Sequence, residues 1–479
     1  MAQMILMIVS IISGMVFSRS LSVAHYGTYM QTFIAYDFAV PILTLGLPSA
    51  LYYFLPNSSH RQKGVILDNI FLLLVAGVIF SLFLALGGAE LLARRFKNPE
   101  LTTTLKWMIY YPLYTFPVLI SSAVWVVKDK VKLNAIFNVV TGIILTILLI
   151  LAASISKDFL APALTKILLP LLFLPITLYY IFKYIPGDWD LPRISSMWEM
   201  VKFSIPLGLS SVIGTITTQL SGMIVALQTS PEDFAIYVNG AREVPLIGIV
   251  TGSISIVIMS EMAQKIKNGD LQAALALFRK SAVVSACFLI PIMIFLLIQA
   301  ENFITILYSN KYESSVIPFR IYLLAIPIRI VYYSAAFIAL GKSKKILFRS
   351  AIDLCLTAIF CYILVSLFGY NGAPLGLILT MFLWTVPYNL YALGKDFNCS
   401  AFYIIPFRKV GKIFLISLFS GLFCLPFQFI KEQTVFLFVL GFLVFVIIYF
   451  ILAYRGISEF KETVTPYFKK INQLKANFF

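Results

Sequence analysis

The sequence predicts an all-α polytopic membrane protein of about fourteen transmembrane helices. We expect two six-helix lobes of the kind that alternate between inward and outward access, plus two C-terminal helices. Three observations carry that expectation. Of 479 residues, 60% are hydrophobic and 12% charged, with a mean hydropathy of +0.93. A soluble chain is about half apolar and a quarter charged. Apolar runs of about twenty residues, the length that crosses a bilayer, recur from end to end. A weak internal repeat divides them.

The spans fall near 3–18, 28–55, 65–87, 105–127, 135–155, 162–185, 204–226, 236–260, 281–300, 316–340, 347–369, 373–394, 409–430 and 434–455. The first is short and ends at Arg19, whose long side chain can snorkel outward. Pro41, Gly46 and Pro48 lie in the second, Pro170 and Pro175 in the sixth, and Pro327 in the tenth. Bundled membrane helices tolerate such residues because neighbours satisfy the freed backbone groups. No basic region precedes the first span, so no cleavable signal is expected.

Lys and Arg set the orientation. Most fall in loops on one side, among them Arg61, Lys63, Lys128, Lys130, Lys265, Arg279, Lys280, Lys342 and Lys344. Placing these in the cytoplasm puts both termini there too. The loop around Arg94–Lys97 is the exception. The hydrophilic stretch from Tyr184 to Phe203, with Trp189 and Trp198 among charges, suits a segment at the lipid interface. It separates six spans from eight. Tyr26-Gly27-Thr28-Tyr29 with Val40-Pro41 resembles Phe234-Ala235-Ile236-Tyr237 with Val244-Pro245, which pairs span two with span eight. The expected division is a six-helix lobe over 1–185, an interfacial linker over 186–203, and a second six-helix lobe over 204–394. Two further helices follow over 395–455, then a cytoplasmic tail over 456–479.

Several functions are excluded. The net charge of +16 suits cytoplasmic loops and anionic headgroups; no basic stretch with interleaved aromatics points to nucleic acid. Five cysteines without a Cys-x-x-Cys pair, beside two histidines, offer no zinc constellation. Gly341-Lys342-Ser343 lacks the earlier glycine of a phosphate loop, since Ala336 stands there. Asn57-Ser58-Ser59 and Asn398-Cys399-Ser400 fit the glycosylation pattern but fall on the expected cytoplasmic side. No loop is long enough for a catalytic domain, so we expect no enzyme and no cofactor.

Charges inside spans are the informative residues, because each is costly in hydrocarbon unless paired or hydrated. They are Asp37, Arg242, Glu243, Arg320, Arg329 and Asp353. Asp68 and Lys166 lie nearer helix ends, where snorkelling is the simpler expectation, and Arg320 shares that reading. Arg242 and Glu243 are adjacent and so cannot face each other on a helix. Arg329 sits mid-span and favours a water-filled cavity. Arg320 and Arg329 share one face only if Pro327 bends or unwinds the helix. Cations at this depth suit an anionic passenger such as a diphosphate. Asp37, Glu243 and Asp353 are candidates for charge pairing or for binding a coupling proton or sodium ion.

Short motifs also carry a resemblance. Phe17-Ser18-Arg19-Ser20-Leu21, Tyr26-Gly27-Thr28-Tyr29 and Leu45-Gly46-Leu47-Pro48-Ser49-Ala50 resemble the polysaccharide transporter family. These are the O-antigen and exopolysaccharide flippases of the multidrug/oligosaccharidyl-lipid/polysaccharide (MOP) exporter superfamily. Phe203-Ser204-Ile205-Pro206-Leu207, Leu307-Tyr308 through Tyr312, and Gly369 to Pro374 agree. The resemblance implies two lobes about a central cavity and transport of an undecaprenyl-diphosphate-linked oligosaccharide across the bacterial cytoplasmic membrane. Membrane lipids, a polysaccharide polymerase and other assembly proteins would be its partners. Arg19 matches the arginine ending the family's first helix. The expected mechanism has Arg19 and Arg329 holding the diphosphate, with Arg242 or Arg320 assisting. A multidrug exporter or a peptidoglycan-precursor flippase on the same fold is the alternative, and a membrane polysaccharide polymerase or ligase the remoter one.

Overall fold

The computed structural model describes residues 2–58, 60–187, 189–241, 244–429 and 434–466. Every element among them is helical. Eight helical stretches are long and apolar enough to cross a membrane. Met4–Ser20 and Val212–Gln228 are shorter apolar helices. The protein is therefore a multi-pass membrane protein, and the chain divides into two compact units.

The first unit comprises 1–238, 307–311 and 357–373. It begins with α1 (Ala2–Ser20), α2 (Val23–Thr44) and α3 (Leu47–Asn57). The expected second span is thus two helices. Leu45 (φ 43°) and Gly46 (φ 78°) take left-handed backbone between them, and Pro48 opens α3 with the fixed φ a first turn wants. Next come α4 (Gln62–Phe83), a π-helical turn (Leu84–Gly88) and α5 (Ala89–Arg95). Arg94 and Arg95 sit in the last turn of α5, seven and eight residues past the expected end of span three. Gly87 (φ 104°) allows the chain to turn inside this stretch.

Span four is not continuous. It is α6 (Leu101–Met108), α7 (Tyr111–Thr115) and α8 (Ser121–Val127). Pro112 and Pro117 lack the N–H that a through-running helix would need, so the pieces separate there. In contrast α9 (Val131–Ser156) and α10 (Leu160–Lys183) run whole, the latter through Pro170 and Pro175. The side of α9 turned from its neighbours carries exposed Ile136, Val140, Ile147, Leu151 and Ile155. In water such a stripe would be a liability; in a membrane it is the lipid contact. α11 (Ile194–Gln228) starts within the expected linker and α12 (Pro231–Gly240) follows. α1 packs on α9, α9 on α10, and α2 on α11.

The second unit comprises 239–306, 312–356 and 374–479. It holds α13 (Pro245–Lys267), α14 (Leu271–Ile298) and α15 (Ala300–Tyr308, completed in the first unit). Expected span ten is broken into α16 (Val316–Leu323), α17 (Ile326–Arg329) and α18 (Tyr333–Ala339). Next come α19 (Ser343–Phe368), α20 (Gly372–Thr380), a π-helical turn (Met381–Thr385) and α21 (Val386–Asp396). α22 (Phe407–Leu422), α23 (Pro426–Phe429) and α24 (Thr434–Gly456) finish the chain's long helices. α14 is the centre of this unit, with Ala282, Ala286, Cys287, Ile290 and Met293 buried against α13, α22 and α24.

One close approach sets the first unit's packing. A Cβ on Gly27 would lie 1.8 Å from the carbonyl oxygen of Pro231, so α2 and the start of α12 touch backbone to backbone. Gly27→Val should therefore cost about 1–3 kcal/mol by overpacking. A thermal melt of the detergent-purified protein should show a clearly lowered midpoint.

Candidate functional site

Hydrocarbon on the outside forces polar groups in α2 to find partners inside. Thr28, Gln31 and Thr32 are buried. Asn98 donates to Thr28 Oγ1 and Gln31 Oε1, each at 2.9 Å, and Thr32 meets Thr104 at 2.9 Å. The loop after α5 that defies the charge rule is thus anchored by a buried amide. One turn further along α2, Tyr29, Phe33, Tyr36, Tyr111 and Tyr114 form a chain of edge-to-face rings.

Lys166 belongs to this cluster. The sequence favoured snorkelling, but its ammonium lies 3.7 Å from the Phe33 ring centre and 5.8 Å from that of Tyr29. It points inward because α10 packs on α2 with the aromatic faces toward it, and a ring face attracts a cation. Lys166 also couples electrostatically to Asp37, which is accessible on the surface of α2. A lysine and a carboxylate at membrane depth, lined by tyrosines, are the polar focus of the first unit. Sequence reasoning missed it because 129 positions separate the two residues.

Asp68 was also expected to snorkel. It is instead wholly buried, and Arg61 Nη1 donates to it at 2.6 Å. Arg61 also donates to Asp190 and to the carbonyl of Leu191, the latter at 2.8 Å. The backbone N–H of Arg193 reaches Asp68 at 2.8 Å, and Lys63 lies over the Trp189 ring at 5.0 Å. The hydrophilic stretch before α11 is therefore strapped to the first unit through one arginine.

Arg19 lies in the last turn of α1. It donates to the carbonyls of Met15 at 2.9 Å and Leu307 at 2.8 Å, and Lys311 returns a bond to its own carbonyl at 3.4 Å. The two motifs around Arg19 and Leu307 thus meet within the first unit.

In the second unit Arg320 has found an acid. It pairs with Glu301 at 3.3 Å and donates to the carbonyl of Leu297. Arg329 ends α17, between breaks on either side, and lines a cavity of about 10 Å³ with Val244, Ile247, Tyr322 and Ile326. The unwinding that the sequence required around Pro327 is present, but it gives the two arginines different surroundings. Asp353 accepts from Thr385 at 2.7 Å and faces Arg349, one turn earlier on α19, at 3.3 Å. Arg242 and Glu243 lie outside the described residues, between α12 and α13.

Three outcomes check this layout. Arg61→Leu leaves Asp68 buried without its cation, a loss of about 3–5 kcal/mol, and should expose 184–193 to protease. Hydrogen bonding from Arg61, against a smaller effect of burial, holds the Asp190 carboxyl below its usual range. The strap should thus be intact at neutral pH and loosen only as pH falls beneath about 4. Separately, Asp37→Asn and Lys166→Met should each lower the melting midpoint. The double variant should lose less than the sum of the two, with a coupling of about 0.5–3 kcal/mol.

A model of the family described as "Polysaccharide biosynthesis protein" matches residues 16–317. A structure of the lipid II flippase MurJ in an inward closed conformation superposes with a TM-score of 0.71 at 17% identity, covering 95% of this chain and 97% of that one. An inward-facing multidrug-resistance MATE transporter of the MOP superfamily gives 0.63 at 12%, covering 82% and 94%. A MOP transporter from Pyrococcus furiosus, described as having a binding pocket of reversed polarity that suggests a different function, gives 0.52 at 12%, with the same coverage. No curated protein matches. The chain accordingly belongs to the polysaccharide biosynthesis protein family, and its multi-pass helical fold is that of the MurJ and MATE structures.

Proposed function

We propose that the protein is a flippase that moves an undecaprenyl-diphosphate-linked oligosaccharide from the inner to the outer leaflet of a bacterial cytoplasmic membrane. It works by alternating access of two lobes, with both termini in the cytoplasm. In this reading the eight long apolar stretches among the described residues, with the broken and shorter helices, make up fourteen spans. The greater coverage by the MurJ structure than by the MATE structure favours that longer architecture over a multidrug exporter of twelve helices.

The observation that carries the reading is Arg329, a guanidinium at membrane depth on a four-residue helix between two breaks. Arginine donates paired hydrogen bonds to phosphate oxygens, and a diphosphate offers several. The cavity beside it has room for about one water molecule and none for a diphosphate. Binding therefore calls for α16, α17 and α18 to move apart, and the breaks at 324–325 and 330–332 are where they can. Arg19 remains a phosphate ligand of its own unit, released from Leu307 when it serves. Arg320, held by Glu301, is the weaker candidate, and Arg242 keeps its assisting role.

Among the acids, Asp353 with Arg349 reads as a charge pair. Asp37, accessible and coupled to Lys166, is the better coupling-ion candidate, with Glu243 retained. A polysaccharide polymerase and other assembly proteins are the expected partners.

Arg329→Ala should leave the protein at normal levels in the membrane and abolish surface polysaccharide, with Arg329→Lys restoring part of it. Normal polysaccharide in Arg329→Ala sinks the assignment. The likeness to MurJ supports a second reading, a peptidoglycan-precursor cargo. Depletion then blocks cell-wall synthesis instead of surface polysaccharide.

A further inference from the structure

We propose that the second unit carries a separate binding site for the phosphate of an anionic phospholipid. It is a groove of about 490 Å³ at the ends of α14, α22 and α24. That volume is in the range of small-ligand sites. Arg279 and Lys280 project from α14, Lys409 from the first turn of α22, and Glu459 and Glu462 from the chain just after α24. All lie where the apolar helices give way to polar sequence, at headgroup depth. Val283 and Pro406 supply apolar wall.

The charges do not cancel. Lys280 pairs with Glu462 at 2.7 Å, and Lys409 pairs with Glu459. The Lys280 ammonium donates to Glu462 Oε2. For Glu459, burial works upward, but hydrogen bonds from Lys409, its own backbone and Ser458 outweigh it and hold the carboxyl low. Arg279 is the third cation and has no third acid. Its guanidinium stacks 3.6 Å from the Tyr403 ring centre, and its Nε is buried with no hydrogen-bond partner among the described residues. Neighbouring Cys399 supplies no counter-charge, since burial raises its thiol.

A stacked, pre-oriented guanidinium with an unmet donor, opening on a half-apolar groove, is suited to a phosphodiester that brings its own acyl chains. Basic pockets between membrane helices recognise lipid headgroups in this way. The site is distinct from Arg329 and independent of the cargo.

The test uses the full chain in neutral detergent, titrated with short-chain phosphatidylglycerol, phosphatidylcholine of the same chains, and sn-glycerol 3-phosphate. Phosphatidylglycerol should raise the melting midpoint while the other two do not, and Arg279→Gln should weaken its binding on the order of tenfold or more. Equal response to phosphatidylcholine overturns the proposal, as does unchanged binding by Arg279→Gln. Equal affinity for glycerol phosphate overturns the lipid source and leaves a soluble phosphate as the ligand. Should Arg279→Gln fail to fold, Tyr403→Leu, which removes the stack from an exposed ring, should lower affinity in its place. The headgroup comparison on the unaltered protein decides without either variant.

Discussion

Hydrocarbon offers no hydrogen bond and almost no solvation of charge, and most of this architecture is an answer to that single constraint. Backbone groups are satisfied within helices, so every element among the described residues is helical. Side-chain polarity is turned inward, where the Asn98 amide donates to Thr28 and Gln31. The outward face is left to residues such as Ile136 and Ile155, which lipid covers at no cost.

Within that constraint, the helices depart from ideal geometry at a few places. α2 and α3 are separated by two left-handed residues, span four by two prolines, and span ten by breaks around α17. Each break frees backbone groups that neighbouring helices, side chains or water must satisfy. Regular helices like α9 and α14 provide the framework around these breaks.

Charge follows the same logic at shorter range. Asp68, Arg320 and Asp353 each meet an opposite charge, and only one of the three partners, Arg349, could be read from helical spacing. Arg61, at the start of α4, reaches Asp68 seven residues further along and holds Asp190 as well, so one guanidinium ties the interfacial strap to α4. Glu301 and Arg320 come from different helices. Such pairs are invisible to a one-dimensional reading because the attraction depends on distance in space.

Much of the fold was legible in the sequence because lipid imposes length and apolarity residue by residue, and both can be counted. Membrane placement, helical class and most span positions followed from those counts, and the family resemblance followed from short motifs such as Phe17 to Leu21. What the tertiary structure decided was direction and partnership. Lys166 could snorkel or turn inward, and only the stacking of α10 on the rings of α2 chose inward. Arg94 and Arg95, counted as an outer loop, belong to the end of a helix that a π turn and Gly87 prolong. Depth in a membrane is a property of sequence length, whereas the side on which a charge finds its partner is a property of packing, and packing joins residues far apart in the chain.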